Sequence, residues 1–253
     1  MVLRALLWDV DGTLAETERD GHRLAFNRAF ADAGVPVCWS VEGYATWLAI
    51  SGGRERIAAQ LQALEGPPPS EQRVVTLQQA KQGHYRQLVA AGELALRPGV
   101  AALLEAAHGA GLAQVIVTTS ARSAVTALAQ QLLGPLATVF AFWICGDDVA
   151  RKKPDPEAYN RATTMLLERG LAQHRGELLV IEDSRNGLEA ARAAGLACLL
   201  TASHYGQGEW QDQPPGAEAA ALVSDLGDGG RVLQGPACQD EGITLSYLQA
   251  LLR

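Results

Sequence analysis

Apolar and polar positions along this chain fall into two regimes. Short, continuous apolar runs that end abruptly in polar or turn residues occur at Leu6-Leu7-Trp8, Val115-Ile116-Val117 and Leu178-Leu179-Val180-Ile181. Runs of that kind mark strands buried on both faces of a parallel sheet. Further runs near 140–145, 196–200 and 221–223 alternate with helical spacing, which predicts a parallel α/β sheet. Residues 17–92 show no strand signal. Helical spacing there runs through Phe26, Ala29, Phe30 and Ala33 to a stop at Gly34. A second helical pattern, through Trp47, Leu48, Ile57 and Leu61, is broken by Ser51-Gly52-Gly53. A third, rich in Gln, Arg and Lys, follows Gly66-Pro67-Pro68-Pro69-Ser70, with Ser70 placed to cap it. The pattern predicts an α/β core from residues 1–16 and 93–253 and a helical insertion over 17–92, joined by hinges at 16–19 and 92–97. Residues 206–242, rich in Gly, Pro, Ala and Asp, read mostly as surface loop, and 243–252 as a short terminal helix.

Composition narrows the function classes. With 253 residues, 48% of them hydrophobic, the chain can bury a sizeable core. A net charge of −7 argues against nucleic acid as a partner, while leaving room for a locally positive pocket that takes an anionic substrate. Cys38, Cys145, Cys198 and Cys238 lie far apart with no CxxC pair and read as reduced core residues of a cytoplasmic protein. No apolar run reaches membrane-spanning length, and the first strand starts without a basic leader or cleavage site. The expectation is a cytoplasmic monomer with no membrane or nucleic-acid partner.

The candidate chemistry gathers at strand ends. Asp9 and Asp11 follow the first apolar run, at the carboxyl end of a strand, where open α/β sheets place their ligands. Alternation puts residues two apart on one side, and Gly12 lets the backbone turn away from them. Two converging buried carboxylates repel unless a cation or proton intervenes, which predicts a hard divalent metal. Thr118-Thr119-Ser120 end the second run, where a hydroxyl and backbone amides can hold phosphoryl oxygens. In Lys152-Lys153-Pro154-Asp155-Pro156, Asp155 reads as a helix N-cap with Pro156 at the first helical position, which fixes Lys153 at the sheet rim. Glu182-Asp183 close the run at 178–181.

Four such motifs in this order resemble the haloacid-dehalogenase (HAD) superfamily, mostly Mg2+-dependent phosphatases and phosphomutases, whose DxDGT signature matches Asp9-Val10-Asp11-Gly12-Thr13. The resemblance implies an α/β fold, a Rossmann-like doubly wound parallel sheet with a helical cap domain inserted after the first strand. It also implies roles. Asp9 would be the nucleophile that carries an aspartyl-phosphate, Asp11 the acid/base, and Thr118 with the Thr119 amide the phosphoryl holders. Lys153 would balance the charge. Mg2+ would be held by Asp9, the Asp11 carbonyl and Asp183, with Glu182 either a ligand or one shell behind. Lys152 reads as a surface residue.

A narrower resemblance, to CbbY-type phosphatases associated with removing xylulose 1,5-bisphosphate, rests on residues 8–18, Asp20-Gly21-His22-Arg23, Ser51-Gly52-Gly53-Arg54-Glu55-Arg56-Ile57 and 181–188. Trp8 stands where the superfamily usually has Phe, and 206–242 match nothing in it. Substrate choice falls to the cap. His22 either contacts substrate or Asp11 or lies on a helix surface. Arg54 is placed to clasp a distal phosphate, with Arg56 a weaker candidate. Glu16 and Glu18 bind sugar hydroxyls or cap the hinge, while Arg122 and Asn186 are the core's candidates for touching substrate. The expected function is a Mg2+-dependent phosphatase of a small phosphorylated sugar, a sugar bisphosphate such as xylulose 1,5-bisphosphate. The alternatives are a β-phosphoglucomutase-like enzyme and a non-catalytic HAD-like binding module. The module would be expected to lack Asp9, Asp11 or Lys153, and dehalogenation has no use for Asp11.

Overall fold

The computed structural model describes residues 2–252. Seven strands form its sheet: β1 (Ala5–Trp8), β2 (Ala113–Val117), β3 (Phe140–Ile144), β4 (Leu178–Glu182), β5 (Ala197–Thr201), β6 (Ala221–Val223) and β7 (Val232–Gln234). Their order is β3-β2-β1-β4-β5-β6-β7. The first six run parallel and β7 runs antiparallel to β6. Leu7 on β1 pairs with Val115 on one side and Val180 on the other. From β1 the chain builds outward through β2 and β3, then returns to β1's other side for β4. That reversal opens a crevice at the carboxyl end of β1.

Ten α-helices accompany the sheet among the described residues: α1 (Arg23–Asp32), α2 (Val41–Ala45), α3 (Gly53–Glu65), α4 (Glu71–Ala90), α5 (Val100–Gly109), α6 (Arg122–Leu128), α7 (Glu157–Glu168), α8 (Arg185–Ala193), α9 (Gly206–Asp212) and α10 (Leu245–Ala250). Alternation along each strand sorts side chains onto two faces. Leu6, Trp8 and Ile116 pack with Leu104 of α5 and Leu248 of α10, whereas Leu7, Val115 and Val180 pack with Tyr159 of α7 and Leu188 of α8. Burying a single Leu or Val this way contributes about 1.5–3 kcal/mol. Gln114 is tolerated in this interior because its Oε1 accepts from the Trp8 indole at 3.1 Å and its amide donates to the Leu104 carbonyl at 2.9 Å.

Helices α1 to α4 surround an aromatic cluster of Phe26, Phe30, Trp39 and Tyr44 with Ile57 and Leu61. The Ser70 hydroxyl caps α4 by accepting the Arg73 amide. The segments that connect these helices to the sheet run side by side, bridged at Ala15 and Leu96, with the Arg97 amide donating to Leu14 at 2.9 Å. A smaller cluster, Tyr85, Leu88 and Leu94 against Ala124, ties α4 to α6.

Four sequence expectations need correction. Residues 206–242 are mostly loop around the expected strand near 221–223 (β6), but α9 and β7, which the pattern does not predict, also lie there. The helical spacing through Trp47 and Leu48 is a turn after α2, and both residues reach the aromatic cluster from it. Helix α7 begins at Glu157, one residue later than predicted, with the Asp155 carboxylate accepting the Glu157 amide at 3.0 Å. Cys145 and Cys198 are buried, but Cys38 is exposed and Cys238 half-buried, and all four are free. Among the described residues no helix is long and apolar enough to cross a membrane.

Candidate active site

Three neighbouring strand ends deliver the polar groups. β1 ends at Trp8, so Asp9 is the first residue past the sheet, its amide held by the Ile181 carbonyl at 3.0 Å. Lys153 reaches it from the β3–α7 connection. The ammonium donates to Asp9 Oδ1 (2.8 Å), the Val117 carbonyl (2.7 Å) and Glu182 Oε1 (2.6 Å), which uses all three protons. Burial lowers the Lys153 pKa, but the facing Asp9 and Glu182 carboxylates outweigh it and leave the ammonium more firmly protonated than an ordinary lysine.

Asp11 sits among three donors. His22 Nε2 is 2.8 Å from Oδ1, the Ser120 hydroxyl 2.5 Å from Oδ2, and the Thr17 hydroxyl also donates to Oδ1. Burial pushes this carboxyl up, yet His22 and the two hydroxyls outweigh it and hold Asp11 below the usual carboxylate range. His22 is buried against the Tyr85 ring, centroids 4.2 Å apart, and its Nδ1 lies 2.7 Å from Lys81 Nζ. Two donors cannot share that contact, so one of the two nitrogens accepts. Burial drives the Lys81 pKa down to about 8, against the pull of Glu18 and Asp11.

Asp9, Glu182 and Asp183 form a buried acidic cluster that presents one oxygen each within 4.8 Å of one another. Burial and mutual repulsion push the Asp9 and Asp183 carboxyls well above their ordinary values. Glycine is obligatory beside this cluster. A Cβ on Gly12, at φ +85°, would meet Asp183 Oδ2 at 2.0 Å, and one on Gly187 would meet Glu182 at 1.9 Å. Both Glu182 oxygens are engaged inside the protein, Oε1 by Lys153 and the Tyr159 hydroxyl (2.8 Å), Oε2 by the Ser184 hydroxyl (3.2 Å) and the Asp183 amide (3.1 Å). Asp9 and Asp183 thus have the freer oxygens, and this donor set fits a hard divalent cation.

Two compartments open between the helical part and the sheet. The larger, about 570 Å³, is lined by Asp9, Asp11, Lys153 and Asp183 and carries seven carboxylates against three cations. The smaller, about 50 Å³, carries four cations, Arg54, Arg56, Lys81 and Lys152, against Glu18 and Asp147. Glu18, Arg56 and Thr119 line both.

The remaining sequence candidates divide between these walls and purely internal contacts. Glu16 lines the larger compartment, accepts the His204 amide at 3.1 Å and faces Arg97 at 3.6 Å. Asn186 lines it too, while donating at 3.1 Å to the Ala49 carbonyl and the Ser51 hydroxyl across the gap. Arg54 lines the smaller compartment and pairs with Glu71 at 3.2 Å. The Thr118 hydroxyl is buried and accepts the Ser120 amide, so Thr119 and Ser120 are the residues that line the compartments. Arg122 lines neither, its guanidinium being turned to Asp148 (2.5 Å) and the Trp143 carbonyl. Lys152, read as a surface residue, instead spans to the helical part and pairs with Glu55 at 2.5 Å. Ser120 and Lys81 went unread: the first lies two residues past the predicted strand-end threonine, the second inside a helix of mixed polar residues.

A family model for haloacid dehalogenase-like hydrolases matches residues 3–195, and the chain belongs to that family and is an enzyme of it. Among its relatives, Protein CbbY of Rhodobacter capsulatus is 44% identical over 233 residues, spanning 89% of this chain and 100% of that one. Phosphoglycolate phosphatase of Salmonella typhimurium is 30% identical over 222 residues, covering 82% of this chain and 84% of that one. The crystal structure of CbbY from Rhodobacter sphaeroides in complex with phosphate superposes with a TM-score of 0.76 at 37% identity, covering 89% and 95% of the two chains. A point mutant of that protein has been solved in complex with xylulose-(1,5)bisphosphate, at the same similarity.

Proposed function

We propose that this enzyme is a Mg2+-dependent phosphatase of sugar bisphosphates, acting through an aspartyl-phosphate on Asp9, with xylulose 1,5-bisphosphate as the favoured substrate. The observation that carries the reading is the placement of Lys153 at 2.8 Å from Asp9, with Asp11 and the acidic cluster at the adjoining strand ends. Residues 17–92 serve as the substrate-selecting cap. Asp9, the Asp11 carbonyl and Asp183 are the residues to hold Mg2+, with Glu182 orienting Lys153 from behind. Bound there, Mg2+ neutralises the carboxylates and the phosphoryl oxygens, which is most of what phosphoryl transfer requires.

The protein's own part follows from the geometry. Asp9 Oδ2, free of Lys153, attacks phosphorus, and the bond to the leaving sugar oxygen breaks. Thr119, which lines both compartments, and Ser120 beside it are the residues to hold phosphoryl oxygens. Asp11 gives the leaving oxygen a proton, then takes one from the water that attacks the aspartyl-phosphate, releasing phosphate and restoring Asp9. Ionised among three donors, Asp11 is arranged for the second of these tasks; for the first it must take up a proton from solvent as the donors draw back, and that proton goes to the leaving oxygen. The charge of the smaller compartment suits a second phosphate near Arg54, and the xylulose bisphosphate complex of the Rhodobacter sphaeroides relative supports the choice of a bisphosphate as substrate.

Phosphate release in Mg2+ from xylulose 1,5-bisphosphate, ribulose 1,5-bisphosphate, glucose 1,6-bisphosphate and β-glucose 1-phosphate tests the reading. The expected result is a clear kcat/KM preference for the first. Conversion of β-glucose 1-phosphate to glucose 6-phosphate without phosphate release would make the enzyme a mutase. Asp9→Asn should abolish turnover with the melting temperature retained, and persistent turnover would remove Asp9 as nucleophile.

A further inference from the structure

The smaller compartment draws its positive charge from two sides. Arg54, Arg56 and Lys81 come from the helices of the cap, and Lys152 comes from the sheet side, directly before Lys153. Lys152 is only 19% exposed at its side chain, and its one ion-pair partner is Glu55, a cap residue that is 47% exposed. Glu55 follows Arg54 in the first turn of α3. Gly52 makes the meeting of the two possible. A Cβ there would fall 2.2 Å from Glu55 Oε2 and 2.6 Å from Lys152 Nζ. An ammonium lining an anion-attracting compartment, held by a half-exposed carboxylate, can exchange that carboxylate for a better anion at little cost. Exposed ion pairs are worth about 0–1 kcal/mol.

Resting on the bisphosphate reading above, we propose that Lys152 is a specificity-determining residue that binds the substrate's second phosphate from the core side. Glu55 competes with that phosphate for the Lys152 ammonium. The second phosphate is then clasped between Arg54 of the cap and Lys152 of the core, so a bisphosphate draws the two parts together and a monophosphate does not. Lys153, one residue on, has no proton to spare for this task, since Asp9, Val117 and Glu182 take all three.

The proposal separates from a plain cap–core latch by the sign of two substitutions. The readout is the ratio of kcat/KM for xylulose 1,5-bisphosphate to that for a pentulose monophosphate. Lys152→Met should lower this ratio about 10- to 100-fold, the size of one hydrogen bond between charged groups, and Lys152→Arg should restore most of it. Glu55→Gln should leave the ratio equal or raise it, because the competitor is gone. If Lys152→Met leaves the ratio unchanged, Lys152 does not bind the second phosphate. If Lys152→Met and Glu55→Gln lower kcat/KM alike for both substrates, the pair is only a latch and the proposal is overturned. A wild-type enzyme with no preference for the bisphosphate would remove the underlying reading first, before any variant is measured.

Discussion

Two lysines buried to the same 3% exposure meet opposite fates in this fold. Lys153 has two carboxylates and a carbonyl within hydrogen-bonding distance and keeps its proton. Lys81 has one imidazole nitrogen and the faces of Phe26 and Tyr85, and burial takes its pKa down to about 8. A base with a depressed folded pKa destabilises the fold while both states are protonated, below pH 8. The cost shrinks between pH 8 and 10.5, where the folded protein has released a proton the unfolded chain still holds. Lys81→Met should therefore stabilise the protein at pH 7 by up to about 3 kcal/mol, and the gain over wild type should vanish by pH 10.5. Melting curves of the two proteins at pH 7, 9 and 10.5 check this, and a variant less stable than wild type at pH 7 would refute it. The same variant should lower turnover, because His22 loses the Nδ1 partner that helps orient its ring toward Asp11. Such a residue leaves little trace in a sequence: a lysine in a helix of Gln, Arg and Lys looks solvated, and only the packing against Tyr85 and His22 reveals it as buried.

At the scale of single elements, the end of β4 that bears Glu182 and Asp183 and the helix after it are one unit. Ser184 caps α8 by accepting the Gly187 amide at 3.1 Å, and its hydroxyl also donates to Glu182 Oε2 at 3.2 Å. Ser184→Ala removes both bonds. It should cost about 1–2 kcal/mol, mostly the cap, or roughly 2–8 °C of Tm for a chain of this size. Activity should fall as well, since Glu182 steadies Lys153. A loss of stability with activity retained would mean that the cap bond alone matters. Elements of this kind were legible in the chain because each central strand is a continuous apolar run cut off by its functional residues, and β1, β2 and β4 fall within a residue of expectation. The elements that escaped lack that signature. Strand β7 is three residues with Leu233 exposed and exists by pairing to β6. Helix α9 begins in Gly206-Gln207-Gly208, whose two glycines are poor helix formers, and is anchored by Trp210, which is buried and donates to the Asp183 carbonyl at 3.0 Å. Tertiary contacts made those elements, and no local pattern announces them.

Across the whole molecule, the sheet concentrates negative charge on the side that faces the helices of residues 17–92, and this ties stability to the metal proposed there. Asp9 and Asp183 come from different strands, and folding alone brings them together, with carboxyls raised above their ordinary values by burial and repulsion. A carboxyl with a raised folded pKa favours the folded state while protonated, and that contribution is lost as pH climbs from the ordinary carboxylate range through the raised value. The protein in EDTA should thus lose stability from these two groups as pH rises above the ordinary carboxylate range. On the function proposed above, Mg2+ would bind the folded arrangement and not the dispersed residues of the unfolded chain, and so would stabilise by mass action, about 2.7 kcal/mol at a hundredfold excess over Kd. Because the ion competes with the protons, its effect must grow with pH. The difference in Tm between Mg2+ and EDTA should be small at pH 5 and reach roughly 5–10 °C at pH 8. Taking this difference cancels the titration of groups remote from the site. Asp183→Asn should abolish the difference at both pH values, since it removes a ligand and relieves the repulsion at once. A Mg2+ effect independent of pH, or one that survives in Asp183→Asn, would place the ion somewhere other than the end of β1.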